Sequence, residues 1–370
     1  MDTGSGGREY RAAMEPMSQR KADHVRIAAE EAAADRSAGA FAALRLDHRA
    51  LPELDLDEVD PSCEFLGHRL SFPFMMASMT GGADGQLRRI NRNLAAAARR
   101  ERVAMAVGSQ RVMFSDPQAR AAFDLRPLAP EVPLIANLGA VQLRQGMGIE
   151  ECRAAVDVLA ADGLYLHLNP LQEAVQREGT PTFGGLASRI GAVAEALDRP
   201  VLVKEVGAGL HPDDLRALIP AGVRYFDAAG AGGTSWSYVE SRRGDDAERR
   251  ARAAAFADWG VPAPQALRRL SPLRSEGATL IGSGGIRSGV DIARAMILGA
   301  SLGSAARPLL APAMESEDAV CAVIRRYREE FRLALFLLGC RRPEYLIGQE
   351  QWIVGDGEYE AGPRGGIHPA

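Results

Sequence analysis

The sequence predicts a closed (β/α)8 TIM barrel with an N-terminal extension and an insertion after its sixth strand. Two observations lead there. Short apolar runs recur eight times between residues 72 and 310, separated by stretches with helical spacing. Nearly every run also turns polar or glycine-rich where it ends, as a barrel requires when its site is built from the loops at one rim. An open doubly wound sheet would need such chemistry only near its switch point.

Before the first run stand a helix candidate, "QRKADHVRIAAEEAAAD", and a turn-rich stretch, "LPELDLDEVDPS". Residues 1–18 are expected to be disordered. The runs follow in order: "FPFMMASM" (72–79), "VAMAVGS" (103–109), "PLIANLG" (133–139), "GLYLHLN" (163–169), "PVLVKEV" (200–206), "YFDAAG" (225–230), "TLIGSGG" (279–285) and "SLGSAARPLL" (301–310). Continuous apolar runs, rather than alternating ones, mark strands buried on both faces of a parallel sheet. "GQLRRINRNLAAAARRE", "EECRAAVDVLAADG" and "SGVDIARAMILGA" between them repeat apolar residues at helical spacing. Residues 231–276 exceed an ordinary connection and read as the insertion, a candidate lid. Residues 19–355 are expected to form one domain, followed by a tail over 356–370.

The 370 residues are 46% hydrophobic and 25% charged, the balance of a soluble globular protein. A net charge of −4 gives no reason to expect nucleic acid or an anionic membrane as partner. Cys63, Cys152, Cys321 and Cys340 lack metal-like spacing and read as free thiols in a reducing compartment. The first residues lack the apolar core of a signal peptide, and no apolar run reaches membrane-spanning length, so the expected location is the cytoplasm.

"GSGGIRSGVDIARAMILGA", from Gly282 to Ala300, places glycines at a strand-to-helix turn. Such a turn lets backbone N–H groups approach an anion, and the following helix adds its positive end. In this architecture the phosphate site commonly falls after strands seven and eight, which makes "SAARP" the second wall. "GGIRSGVDIARAMILGA" is similar to the phosphate segment of barrels that bind flavin mononucleotide. "GAGG" (230–233) has the wrong spacing for a dinucleotide fingerprint.

"RKADH" (20–24), "SMTGG" (78–82), "AVGSQR" (106–111), "HLNPLQE" (167–173) and "DAAGAGGTSW" (227–236) together resemble the type 2 isopentenyl-diphosphate isomerases. The resemblance covers residues 18 to 355. It implies a barrel, reduced FMN, Mg2+, homo-oligomers (tetramer or octamer) and interconversion of isopentenyl and dimethylallyl diphosphate. A 2-hydroxy-acid oxidase or dehydrogenase on the same barrel is the alternative. Those families use a histidine at a strand end where this chain has "DAAGAGGTSW", and Ser283 stands where they often carry Asp. A non-catalytic phosphate-binding barrel is the third reading.

The substrate so implied is a small branched alkene with a diphosphate. Arg20 and Lys21, on the warrant of the resemblance, would meet its charge together with Ser109, Gln110 and Arg111; a guanidinium suits bidentate phosphate contact. Period-two alternation puts His167 and Asn169 on one side of the fourth strand, as donors to phosphate oxygens. Pro170 stops that strand and starts a helical turn carrying Gln172, which would orient the hydrocarbon, and Glu173, which would hold Mg2+. Gln172, His167 and Asn169 form the expected catalytic set. The flavin would lie along Ala77, Ser78, Met79 and Thr80, with Ser109 and Asn137 on neighbouring strand ends. Lys204 would meet its N1 or O2 edge, an ion pair with Glu205 or another acid being the alternative. Thr234, Gly285, Ile286, Arg287, Ala305 and Ala306 would line its ribityl phosphate. No cysteine pair or acid dyad offers itself, so the acid–base work is expected of the reduced flavin, with NAD(P)H only keeping it reduced.

Overall fold

Eight short parallel strands close on one another: β1 (Phe74–Met76), β2 (Ala104–Ala106), β3 (Leu134–Gly139), β4 (Gly163–His167), β5 (Val201–Lys204), β6 (Tyr225–Asp227), β7 (Thr279–Gly282) and β8 (Leu302–Ala305). Each pairs with its sequence neighbours, and β8 returns to β1 through Gly303 opposite Phe74. This is the predicted (β/α)8 barrel. The computed structural model describes residues 23, 24, 26, 27, 35, 40–79, 85–243 and 246–355. The stretches 1–18 and 356–370, expected to be disordered and a tail, lie outside the described residues.

Alternation along each strand divides two cores. Met75, Ala104, Ala106, Ile135, Tyr165, Leu202, Ile281 and Leu302 fill the inside of the barrel. Their alternate neighbours, such as Phe74, Leu134, Leu164, Val203 and Phe226, join a larger core beneath the helices. A hairpin of Cys63–Phe65 and His68–Leu70 sends Phe65 and Leu70 into the inner cluster and closes the rim where the strands begin. Full burial of each such side chain contributes about 1.5–3 kcal/mol. With one rim plugged by apolar side chains, the other is left for chemistry.

The helical layer is uneven. After β1 comes a long helix, α1 (Gly85–Glu101), burying Leu87, Ile90 and Leu94. The β2–β3 connection has only 3-10 turns and the four-residue helix Pro117–Arg120 among its elements. Helix α2 (Ile149–Leu159) follows β3, and the short α3 (Pro170–Val175) follows β4 with Pro170 in its first turn, as expected. After β6 stand α4 (Trp236–Ser241), α5 (Ala247–Ala254) and α6 (Ala263–Leu270). Helix α6 buries Ala263, Ala266, Leu267 and Leu270 against the strands, so it is the barrel's own sixth helix. The insertion expected over 231–276 is therefore shorter and ends before Ala263.

The eighth run also needs correction. Its strand stops at Ala305, and Pro308 lies in the first turn of α7 (Arg307–Glu315) rather than in a strand reaching residue 310. Proline removes a ladder donor but is well placed at a helix start. Arg45–Leu46 pairs antiparallel with Ile353–Gly355, joining the two ends of the described barrel. All four cysteines are unpaired, as read from their spacing. Among the described residues no helix is long and apolar enough to cross a membrane.

Candidate active site

Strand register brings the chemistry to one level at the open rim. Gly139 pairs with His167, His167 with Lys204, and Lys204 with Asp227, across β3 to β6. Paired residues of a parallel sheet point to the same face, so His167, Lys204 and Asp227 stand side by side. A Cβ on Gly139 would lie 3.1 Å from His167 Nε2, so the missing side chain makes room for the ring.

His167 Nδ1 lies 2.7 Å from Asn137 Oδ1, and Asn137 Nδ2 donates to Ser78 Oγ at 2.7 Å. An amide oxygen only accepts, so Nδ1 carries the proton and Nε2 keeps its lone pair. Burial, and then the charge of Lys204, lower the imidazole pKa to about 3. The ring is thus neutral and has no second N–H to offer. As placed, the ring meets Asn137, which in turn donates to Ser78.

Lys204 Nζ donates to Glu205 O at 2.6 Å and stands 5.9 Å from the centre of the Tyr165 ring. The alternative of an ion pair with the Glu205 carboxylate is not what holds it: that carboxylate accepts from the backbone N–H groups of Gly207, Ala208 and Gly209. Asp227 is fully buried, accepting from Ser283 Oγ, Ala229 N–H and Tyr165 Oη. Burial raises its pKa, against the opposing charge of Lys204. Neither Asp227 nor Tyr165 stands out in the sequence, where each is one polar group inside an apolar run.

The turn after β4 carries a continuous hydrogen-bonded chain. Asn169 Nδ2 donates to Gln172 Oε1 (3.2 Å) and Glu173 Oε1 (3.0 Å), and Glu173 Oε2 accepts from Thr180 N–H (2.8 Å). Gln172 Nε2 reaches Glu240 Oε1 at 3.5 Å, and the same oxygen lies 2.8 Å from His24 Nε2. Arg243 Nη1 holds the other Glu240 oxygen at 2.7 Å. Burial would raise the Glu240 pKa, but His24 and Arg243 outweigh it and hold the carboxyl below its usual range. Trp236 meets His24 edge-on at 5.1 Å, and with Leu171, Gln172 and Val206 it lines a small cavity. His24 and Trp236 lie in the motifs and Glu240 just beyond the last of them, but their residue types alone did not single them out. The signal was available: Trp236 and Glu240 are four apart, one face of a helix.

Asn169 is nearly fully buried and its Oδ1 has no partner among the described residues. A buried unpaired amide oxygen is costly unless something else completes it, which suits a bound polar group. Glu173 is one carboxylate, consistent with a cation completed by phosphate oxygens and water. Among the described residues no cluster of three or more acids, histidines or cysteines could hold a metal alone.

Ser109 Oγ caps the turn that begins at Gln110 by accepting from Arg111 N–H. Gln110 itself is fully buried; its Nε2 donates to Ala155 O and its Oε1 accepts from Asn137 N–H. Both ends of its amide are engaged inside the chain, where they brace neighbouring strand ends. Arg20, Lys21 and Thr80 lie outside the described residues.

At the opposite side of the rim, Gly284 and Gly285 have φ of +96° and +106°. A Cβ on either would fall within 2.0 or 2.5 Å of the carbonyl oxygens of Gly230 and Gly232. Two strand-end turns thus meet backbone to backbone, leaving a wall without side chains. Arg287 donates to Gly285 O (2.9 Å) and Gly232 O (3.0 Å), and Ala77 N–H donates to Ala305 O (2.8 Å). Ile286 is buried, and Met79, Thr234 and Ala306 are half-buried. A bare backbone wall with an adjacent guanidinium and the starts of two helices, Gly289–Ile297 and α7, fits a phosphate. Ser78 after β1, Asn137 on β3 and Lys204 at the end of β5 supply donors for the edge of a heteroaromatic ring.

Residues 13–120 and 184–352 match the family of FMN-dependent dehydrogenases. The isopentenyl-diphosphate delta-isomerase of Paracoccus zeaxanthinifaciens is 55% identical over 324 residues, 87% of this chain and 93% of that protein. The enzyme of the same name from Hydrogenovibrio crunogenus is 46% identical over 339 residues, 92% of this chain and 98% of that protein. Among solved structures, a flavocytochrome b2 mutant with benzoylformate aligns with a TM-score of 0.63 at 16% identity, covering 92% of this chain and 84% of that one. A mandelate oxidase mutant with benzaldehyde gives 0.61 at 20% identity, covering 92% and 96%. At those identities the likeness to both structures is one of fold alone.

Proposed function

This chain belongs to the isopentenyl-diphosphate delta-isomerase family, within the FMN-dependent dehydrogenases, and on that premise we propose that it interconverts isopentenyl and dimethylallyl diphosphate at the open rim. The reaction moves a proton and a double bond, with no net redox change. The observation that carries the reading is the chain His24–Glu240–Gln172–Asn169–Glu173, assembled beside Lys204.

Bound reduced FMN supplies acid–base capacity and an electron-rich face for a cation-like alkene. Ala77 to Thr80, Ser109 and Asn137 would run along it, with Lys204 at its N1 edge. Thr234, Gly285, Ile286, Arg287, Ala305 and Ala306 would take its phosphate end. Trp236 and Gln172 would bound the hydrocarbon, Gln172 fixing its orientation through Glu240 and Asn169. Asn169, Ser109 and Arg111, with Arg20 and Lys21, would receive the diphosphate. Glu173 would hold Mg2+ against it. We further propose NAD(P)H as reductant, a homo-oligomeric enzyme and a cytoplasmic location.

The test is anaerobic incubation with isopentenyl diphosphate, FMN, NADPH and Mg2+. Dimethylallyl diphosphate is the expected product, and lactate or glycolate should leave oxidised FMN unbleached. No product from the folded, FMN-loaded protein overturns the reading; bleaching by a hydroxy acid replaces it with the oxidase.

A further inference from the structure

Asp35 belongs to the segment before the barrel, yet it touches three successive strand-end turns. Its backbone bridges Thr234, after β6. One carboxylate oxygen lies 2.6 Å from Arg287 Nη2, after β7. The other lies 3.1 Å from Arg307 Nη1, at the start of α7 after β8. The first two of these turns form the backbone wall described above.

Arg287 is consequently held by three acceptors, Gly285 O, Gly232 O and Asp35 Oδ1. Its guanidinium lies against the Gly285 turn, 3.2 Å from where a Cβ would stand. Two guanidinium groups sharing one carboxylate avoid the mutual repulsion that would separate them. A planar fork held in place loses less freedom on binding phosphate than a mobile one.

We propose that Asp35 is a positioning residue for the cofactor's phosphate: it fixes Arg287 and Arg307 across the turns after β7 and β8. The assignment rests on the reading that FMN binds with its phosphate at this wall. It also fastens the N-terminal segment to the cofactor end, while His24 fastens it to Gln172 through Glu240.

The test compares FMN with riboflavin, which has the same ring system but no phosphate, binding to flavin-free protein by quenching of flavin fluorescence. Asp35→Ala should weaken FMN by roughly tenfold, the scale on which outer partners of a binding group act, and leave riboflavin as in the parent. Asp35→Glu, which keeps the charge, should restore most of the FMN affinity. Unchanged or tighter FMN binding by a folded Asp35→Ala overturns the proposal, as does an equal loss for riboflavin. A parent that binds neither flavin removes the cofactor reading and this inference with it; a parent that prefers FMN leaves the variants to decide.

Discussion

Lys204 stands opposite His167 on the adjacent strand, and its ammonium helps keep the imidazole uncharged. Burial is the larger cause and the lysine the second. The folded protein therefore binds fewer protons here than the unfolded chain between about pH 3 and the ordinary histidine value of 6.5. The stability this confers is complete above that ordinary value and is lost as pH falls through the window. His167→Gln should flatten the dependence of unfolding free energy on pH in that range, measured by urea titration. Lys204→Met should move the His167 resonance titration upward, short of the free value because burial remains. A His167 that titrates near 6.5 in the parent would remove the neutral-ring argument.

Gln172 has its amide held between Asn169 and Glu240. Gln172→Ala should lower kcat by ~100-fold, the scale of lost orientation at a reacting centre, with the flavin spectrum and melting temperature preserved. A variant with parental kcat would take Gln172 out of the site.

Gln110 separates the two roles open to it. If it braces strand ends, Gln110→Ala leaves Ala155 O and Asn137 N–H unpaired and costs about 1–3 kcal/mol, read from chemical denaturation. KM for the diphosphate should then stay near the parent value. A raised KM with unchanged stability would restore it as a substrate contact.

Gly284 is placed where neither a side chain nor its backbone angle is tolerated. Gly284→Ala should destabilise the fold by about 1–3 kcal/mol or more and weaken FMN binding, because the Gly230 turn must withdraw. A variant with parental stability and flavin affinity would show that the two turns are not in contact.

The barrel was legible because eight apolar runs, separated by helical spacing, allow few other arrangements. Which rim carries the site followed from the polar ends of those runs. Side-chain direction was another matter. Gln110 and Ser109 are adjacent polar residues, but only the fold shows that one points inward to Ala155. The protonation of His167 depends on Asn137, a residue on another strand. The inserted helices and α6 share the same amphipathic pattern, so the end of the insertion was set by packing, which periodicity does not record. Asp35 read as one more charge in a helical stretch until Arg287 and Arg307 were brought to it.

The pairing of Arg45–Leu46 with Ile353–Gly355 spans almost the whole described chain. Contacts of that range in sequence are late and slow to form. The two segments form a small sheet of their own, a clasp outside the closed barrel. Losing Ile353–Gly355 should therefore be felt first in the yield of refolding rather than in the chemistry of what does refold.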